Sequence, residues 1–193
     1  DVAMIPVGST EQHGPHNPLG TDHLLAEALA KVVGEETGVP VTPIVPVGIS
    51  EHHRQFTGSL WVSPEVFKEY MIGIALAVAS HGSTKIVFVN GHGGNTSALL
   101  EVCEELRRQY ELFACIVHSY TQNMDGHAGV GETSQNLYFH PHLVNMTKAV
   151  DTPQKTHLGP FKMSGFNSIG PARFPWDTID LTETGVLGAA GTL

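Results

Sequence analysis

An α/β fold with a largely parallel central sheet is what this sequence predicts, and two observations predict it. Short, near-continuous apolar runs alternate along the chain with longer stretches of helical spacing, the pattern of buried strands joined by helical crossovers. The polar, histidine-bearing segments follow those apolar runs or their loops, and in such folds the loops beyond the carboxyl ends of strands carry function.

Taken in order, Val2 to Val7 reads as a buried strand, and Asp22 to Glu35 as a helix with Leu24, Leu25, Ala28, Leu29 and Val32 on one side. Val41 to Val47, with two prolines, is expected as a second strand. Ser63 as N-cap and Pro64 at the first helical position open a helix that runs to about Ser80 and stops at His81-Gly82. Lys85 to Val89 is the strongest strand signal of the chain. Thr96 to Tyr110 is then helical, with Leu99, Leu100, Val102, Cys103 and Leu106 on its apolar side, and Phe113 to Val117 is a fourth strand. A short helix is expected around Thr133 to Phe139. From Val150 the chain is rich in Pro and Gly and carries no clear period, while its Phe, Trp and Ile argue against disorder.

At 193 residues and 41% hydrophobic, the chain can bury one sizeable core, so a single domain over 1–193 is expected. A net charge of -9 and ten Lys+Arg without a dense basic cluster exclude a nucleic-acid surface. Cys103 and Cys115 have no CxxC spacing and indicate neither a disulfide framework nor a zinc finger. The apolar stretch Met71 to Ala79 is far short of the roughly 20 residues of a membrane span. With no signal peptide visible, a cytoplasmic location is expected, and the abrupt ends read as a chain trimmed on both sides. Twelve histidines, several beside Gly, Asn or acidic residues, call for a chemical reason.

Three clusters supply one. In Glu11-Gln-His13-Gly-Pro-His16, Glu11 and His13 are two apart and project to one side of an extended stretch, and Asp22 returns after the loop. Carboxylate and neutral imidazole are ligands for Zn²⁺, Mn²⁺ or Fe²⁺, and a carboxylate's two oxygens can bridge a metal pair. A solvated polar turn with Asp22 capping the helix fits the first cluster equally well. The second, Asn90-Gly-His92-Gly-Gly-Asn95, lacks the Lys-Ser/Thr of a phosphate loop and the glycine spacing of a dinucleotide fingerprint. It offers His92 among glycines that permit close approach, or simply a tight turn. In the third, His127-Ala-Gly-Val-Gly-Glu132, Glu132 is a metal ligand or a helix N-terminal charge, and His127 can shuttle a proton near neutral pH.

Pro6 to His16 with Asp22, then Asn90 to Asn95, then His127 to Ser134, in this order, resemble the creatininase (creatinine amidohydrolase) family over most of residues 2–145. The resemblance implies a three-layer α/β/α metallohydrolase, usually a homohexamer, with two divalent metal ions (Zn, Mn or Fe) per chain. It implies Glu11, His13, Asp22 and His92 as metal ligands, Asp22 bridging, and His127 as the catalytic acid/base. Phe56-Thr57-Gly58-Ser59 is similar to a family loop beside the site that normally has Pro at the Thr57 position. His52, His53, Phe56 and Gly93 are then candidates for substrate contact. The sequence departs from creatininase at Gly94, where creatininase has a glutamate ligand, and Glu132 is expected to complete the second metal's shell and to share the catalytic work with His127.

The activity this implies is hydrolysis of a small-molecule C–N amide bond other than a peptide bond, through a metal-activated water. Creatinine and a formamidopyrimidine nucleotide are both allowed; the loop Phe56 to Trp61 and the Gly-Gly motif favour the formamide, with Arg54 and Lys162 as cations for its phosphate. The alternatives are a peptidase that matures a redox-cofactor precursor peptide and a non-catalytic metal-binding scaffold, against which His127 argues.

Overall fold

Val2–Val7 (β1) is followed by a helix, Thr21–Thr37 (α1), then by Pro64–Ser80 (α2), Lys85–Asn90 (β2), Thr96–Tyr110 (α3) and Phe113–His118 (β3). This is the computed structural model of the chain, and it describes residues 1–120, 126–153, 155–171 and 173–191. The described residues form two compact units. One comprises Asp1–Thr10, Asp22–Ser50 and Leu60–Ser119; the other comprises Glu11–Thr21, Glu51–Ser59 and the described residues from Tyr120 onward.

In the first unit the three strands pair in parallel in the order β1-β2-β3, with Val2 opposite Lys85 and Lys85 opposite Phe113. Strand residues alternate between faces. Ile5, Val7, Ile86 and Phe88 pack with Phe67, Met71 and Ala75 of α2 and Leu99, Val102 and Leu106 of α3. Met4, Val87 and Val89 pack with Leu29 and Ala30 of α1. The sheet is therefore covered on both faces, the α/β/α layering expected.

Val41 to Val47 corrects one expectation: instead of a continuous strand it makes isolated parallel bridges, Met4 to Val41 and Val7 to Val45. It still follows β1, with Thr42 N–H donating to Met4 O and Val45 N–H to Pro6 O, both at 3.0 Å. Pro43 and Pro46 have no N–H, so a ladder cannot run through them.

The second unit holds Val130–Phe139 (α4) and the tail that sequence reading left unassigned. Asp151–Thr152 (β4) pairs with Gly188–Ala189 (β8), and His157–Leu158 (β5), Phe161–Ser164 (β6) and Asn167–Ile169 (β7) form an antiparallel sheet. Thr178–Leu181 (α5) is a single turn whose Asp180 carboxylate accepts the Asp177 N–H at 2.9 Å. Met163, Leu181 and Leu187 form the small core here, with Phe166, Phe174 and Trp176 packed against it.

Candidate metal centre

In the first unit, two glycines bring the start of α1 against the strand ends. A Cβ on Gly8 would lie 2.4 Å from the His23 nitrogen, and one on Gly91 would lie 2.1 Å from the Asp22 carbonyl oxygen. Only glycine permits that approach. It sets the Asp22 carboxylate beside the His92 imidazole, Oδ2 to Nδ1 at 3.0 Å, with both side chains buried. The other ring nitrogen, Nε2, lies 3.0 Å from the Ile49 carbonyl oxygen. A carbonyl only accepts, so Nε2 carries the proton and the neutral ring presents its Nδ1 lone pair to Asp22. Two lone-pair atoms at this separation need a cation or a proton between them, so the pair suits a divalent metal. Asn90 and Asn95 hold the loop: Asn90 Nδ2 donates to His92 O at 2.7 Å and Asn95 Nδ2 to Gly8 O at 3.0 Å. Gly94 completes the arrangement, since a Cβ there would sit 2.4 Å from His92 Nε2 and 2.5 Å from Ile49 O.

The second unit gathers Glu11, His13, His53, His127 and Glu132. Two donor groups, Glu11/His53/His127 and His13/His127/Glu132, each have ligand atoms within 4.8 Å of one another. His13 Nδ1 lies 3.2 Å from Glu11 O, which makes it the protonated nitrogen and turns the Nε2 lone pair toward Glu132 Oε2, 3.6 Å away. Glu132 is also fixed from behind, accepting the Ala128 N–H at 2.6 Å. Ala128 achieves this in the left-handed region, φ 54°, while fully buried; for a non-glycine residue that conformation costs about 1–3 kcal/mol. His53 Nε2 lies 3.2 Å from Glu11 Oε1, and its Nδ1 meets Gln12 Nε2 at 3.0 Å and Thr178 Oγ1 at 3.1 Å.

His16, which sequence reading left without a role, is buried behind α4, its Nε2 2.9 Å from Thr133 Oγ1. Its pKa lies below the ordinary value, first because burial disfavours the imidazolium and then because of His13; the Ala128 main chain and Glu132 pull the other way.

Among the residues expected at the substrate, His52 is half-buried, its ring 4.3 Å from His53 and 5.4 Å from Trp176. Phe56 is half-buried and its N–H donates to His53 O at 3.0 Å. Gly93 is exposed in the first unit and starts a 3-10 turn, Gly93–Asn95. Arg54, expected as a phosphate-binding cation, has both guanidinium arms on Asp177, and Lys162 is exposed on β6. Sequence reading passed over Gln12, Thr178 and the pair Phe166/Trp176, stacked at 4.9 Å, of which Phe166 lies 5.5 Å from His127. The tail's aromatic content was the one signal for Phe166 and Trp176; Gln12 and Thr178 had none.

A sheet covered on both faces, with buried carboxylate–imidazole groups at its loops, is a fold competent for metal-dependent hydrolysis. The chain belongs to the creatininase family: the family model described as creatininase, creatinine amidohydrolase, matches residues 1–192. Over 149 residues it is 39% identical to the mycofactocin precursor peptide peptidase of Mycolicibacterium smegmatis, covering 72% of this chain and 58% of that one. It is 28% identical over 202 residues to the creatinine amidohydrolase of Pseudomonas putida, covering 90% and 76%. A solved mutant creatininase complexed with creatine has a TM-score of 0.83 and 26% identity, covering 99% of this chain and 82% of that one. The chain thus spans less than two thirds of the length of the peptidase it resembles.

These relatives correct one expectation. Sequence reading confined the reaction to C–N bonds other than peptide bonds, whereas the mycobacterial relatives at 34–39% identity are by name peptide peptidases. The physical reason is that a metal held by carboxylate and imidazole would activate water toward any acyl carbon, so the donor set never carried that exclusion. Among the described residues, no helix is long and apolar enough to cross a membrane.

Proposed function

We propose that this chain is a metal-dependent peptidase of the creatininase family that trims a short precursor peptide. The observation that carries this reading is the 39% identity to a precursor peptide peptidase over 72% of the chain, against 28% to a creatinine amidohydrolase. The Asp177 partner of Arg54 also weakens a phosphorylated substrate, because that guanidinium is already neutralised.

Glu11, His13, Asp22, His92 and Glu132 would hold two divalent ions, with Asp22 bridging, in the family's usual homohexamer. Bound there, the metals would lower the pKa of a water and polarise the scissile carbonyl. His127 would pass a proton to the departing nitrogen, and the half-buried His52 and Phe56 would line the substrate. Zinc, manganese and iron all suit these donors; metal analysis by mass spectrometry identifies which is held.

The test is a hydrolysis assay with each of these metals on a panel of short peptides, creatinine and formamidopyrimidine nucleotides. Cleavage of peptides alone is expected; turnover of creatinine or the formamide without peptide cleavage would overturn the reading. Asp22→Ala is expected to lose bound metal and all hydrolysis. Two ions per chain retained in that variant would remove Asp22 from the bridging role.

A further inference from the structure

Between two expected metal ligands lies a residue that metal chemistry does not use. Gln12 is 5% exposed, and its side-chain Oε1 accepts the Gly14 N–H at 3.0 Å. That bond identifies the opposite end of the amide as nitrogen. Gln12 Nε2 lies 3.0 Å from His53 Nδ1. An amide NH₂ only donates, so His53 Nδ1 accepts and the proton of the neutral ring resides on Nε2, which faces Glu11 Oε1.

The main chain of the same residue acts on a second ring. Gln12 O lies 2.8 Å from His127 Nε2, and a carbonyl only accepts, so this nitrogen carries the proton and Nδ1 holds the lone pair. Gln12 Nε2 also approaches His127 Nε2 at 3.0 Å, but with a hydrogen on each nitrogen that approach is a contact and not a hydrogen bond. Gly185 leaves room for the amide: a Cβ there would sit 1.7 Å from Gln12 Oε1.

We propose that Gln12 is a positioning residue that sorts the imidazoles around it. Its side-chain amide holds His53 as the Nε2–H tautomer, with Nε2 3.2 Å from Glu11 Oε1, so that neither ring nitrogen is left as a metal donor. Its carbonyl holds His127 with Nδ1 as the basic atom. The purpose of this sorting rests on the hydrolase reading; the tautomers themselves do not.

Nitrogen-15 NMR of the histidine side chains in the metal-chelated protein tests it, because protonated and unprotonated ring nitrogens have well-separated shifts. Both His53 and His127 are expected as Nε2–H tautomers. Gln12→Glu keeps an oxygen for the Gly14 N–H and replaces the donor facing His53 by an acceptor. In that variant His53 Nδ1 is expected to gain a proton, while His127 keeps its proton on Nε2. A wild-type His53 protonated on Nδ1, or a Gln12→Glu protein whose His53 Nδ1 stays unprotonated, would overturn the side-chain role. A wild-type His127 protonated on Nδ1 would overturn the carbonyl role. If Gln12→Glu fails to fold, the two wild-type tautomers still decide against the proposal when either is reversed. A chain inactive on every peptide would sink the peptidase reading and leave these spectra untouched.

Discussion

The lack of a side chain at Gly94 has its own use. A Cβ would press on both partners of the His92–Ile49 bond, the bond that turns the His92 lone pair toward Asp22. Bonds of this kind, to the far side of a ligating ring, are worth roughly 10–100-fold in metal affinity. Gly94→Ala is therefore expected to weaken metal binding by about that factor, measured by competition with a chromophoric chelator; unchanged affinity would show that the bond does not orient His92. His16 makes a second prediction. Its folded pKa is depressed, so on acidification the unfolded chain takes up the proton first. The stability it contributes is complete above the ordinary value of about 6.5 and is lost as pH falls through the folded one. The Tm of the metal-chelated chain should fall across that window, and His16→Gln should flatten the fall; equal slopes would refute the assignment.

At the scale of elements, the first unit depends on α2 and α3 covering one face of the sheet. Leu99 is fully buried between the helix and Ile5, Phe88 and their neighbours. Leu99→Ala is expected to cost about 2–5 kcal/mol, from lost transfer energy and the cavity left behind, as read by urea unfolding; a loss under about 1 kcal/mol would mean that the site collapses around the gap. These elements were legible in the sequence because their periods extend over six or more residues. Helix α2 begins where Ser63 and Pro64 place it, with Ser63 Oγ accepting the Val66 N–H at 3.4 Å. The stretch Val41 to Val47 was half legible: its apolar content indicated a place beside β1, and its prolines removed the donors a continuous ladder needs. The tail was not legible, since strands of two to four residues are too short for alternation to register.

For the molecule as a whole, the buried donors link stability to metal. A ligand that binds only the folded chain stabilises it by about 2.7 kcal/mol at 100 times its Kd. Chelation is therefore expected to lower Tm by several degrees and re-addition of zinc or manganese to restore it, measured by scanning calorimetry; a Tm insensitive to both would exclude a resident metal. The sequence by itself determined the order of β1, α1, α2, β2, α3 and β3 and the residue types at Glu11, His13, Asp22, His92, His127 and Glu132, because periodicity and residue chemistry are local properties. Tertiary structure alone decided which nitrogen of each imidazole faces a carboxylate, and that Gln12 stands at both His53 and His127. Those bonds, from the Gln12 amide to His53 and from His127 to the Gln12 carbonyl, join residues 41 and 115 positions apart, and a hydrogen bond across such a separation leaves no trace in local pattern.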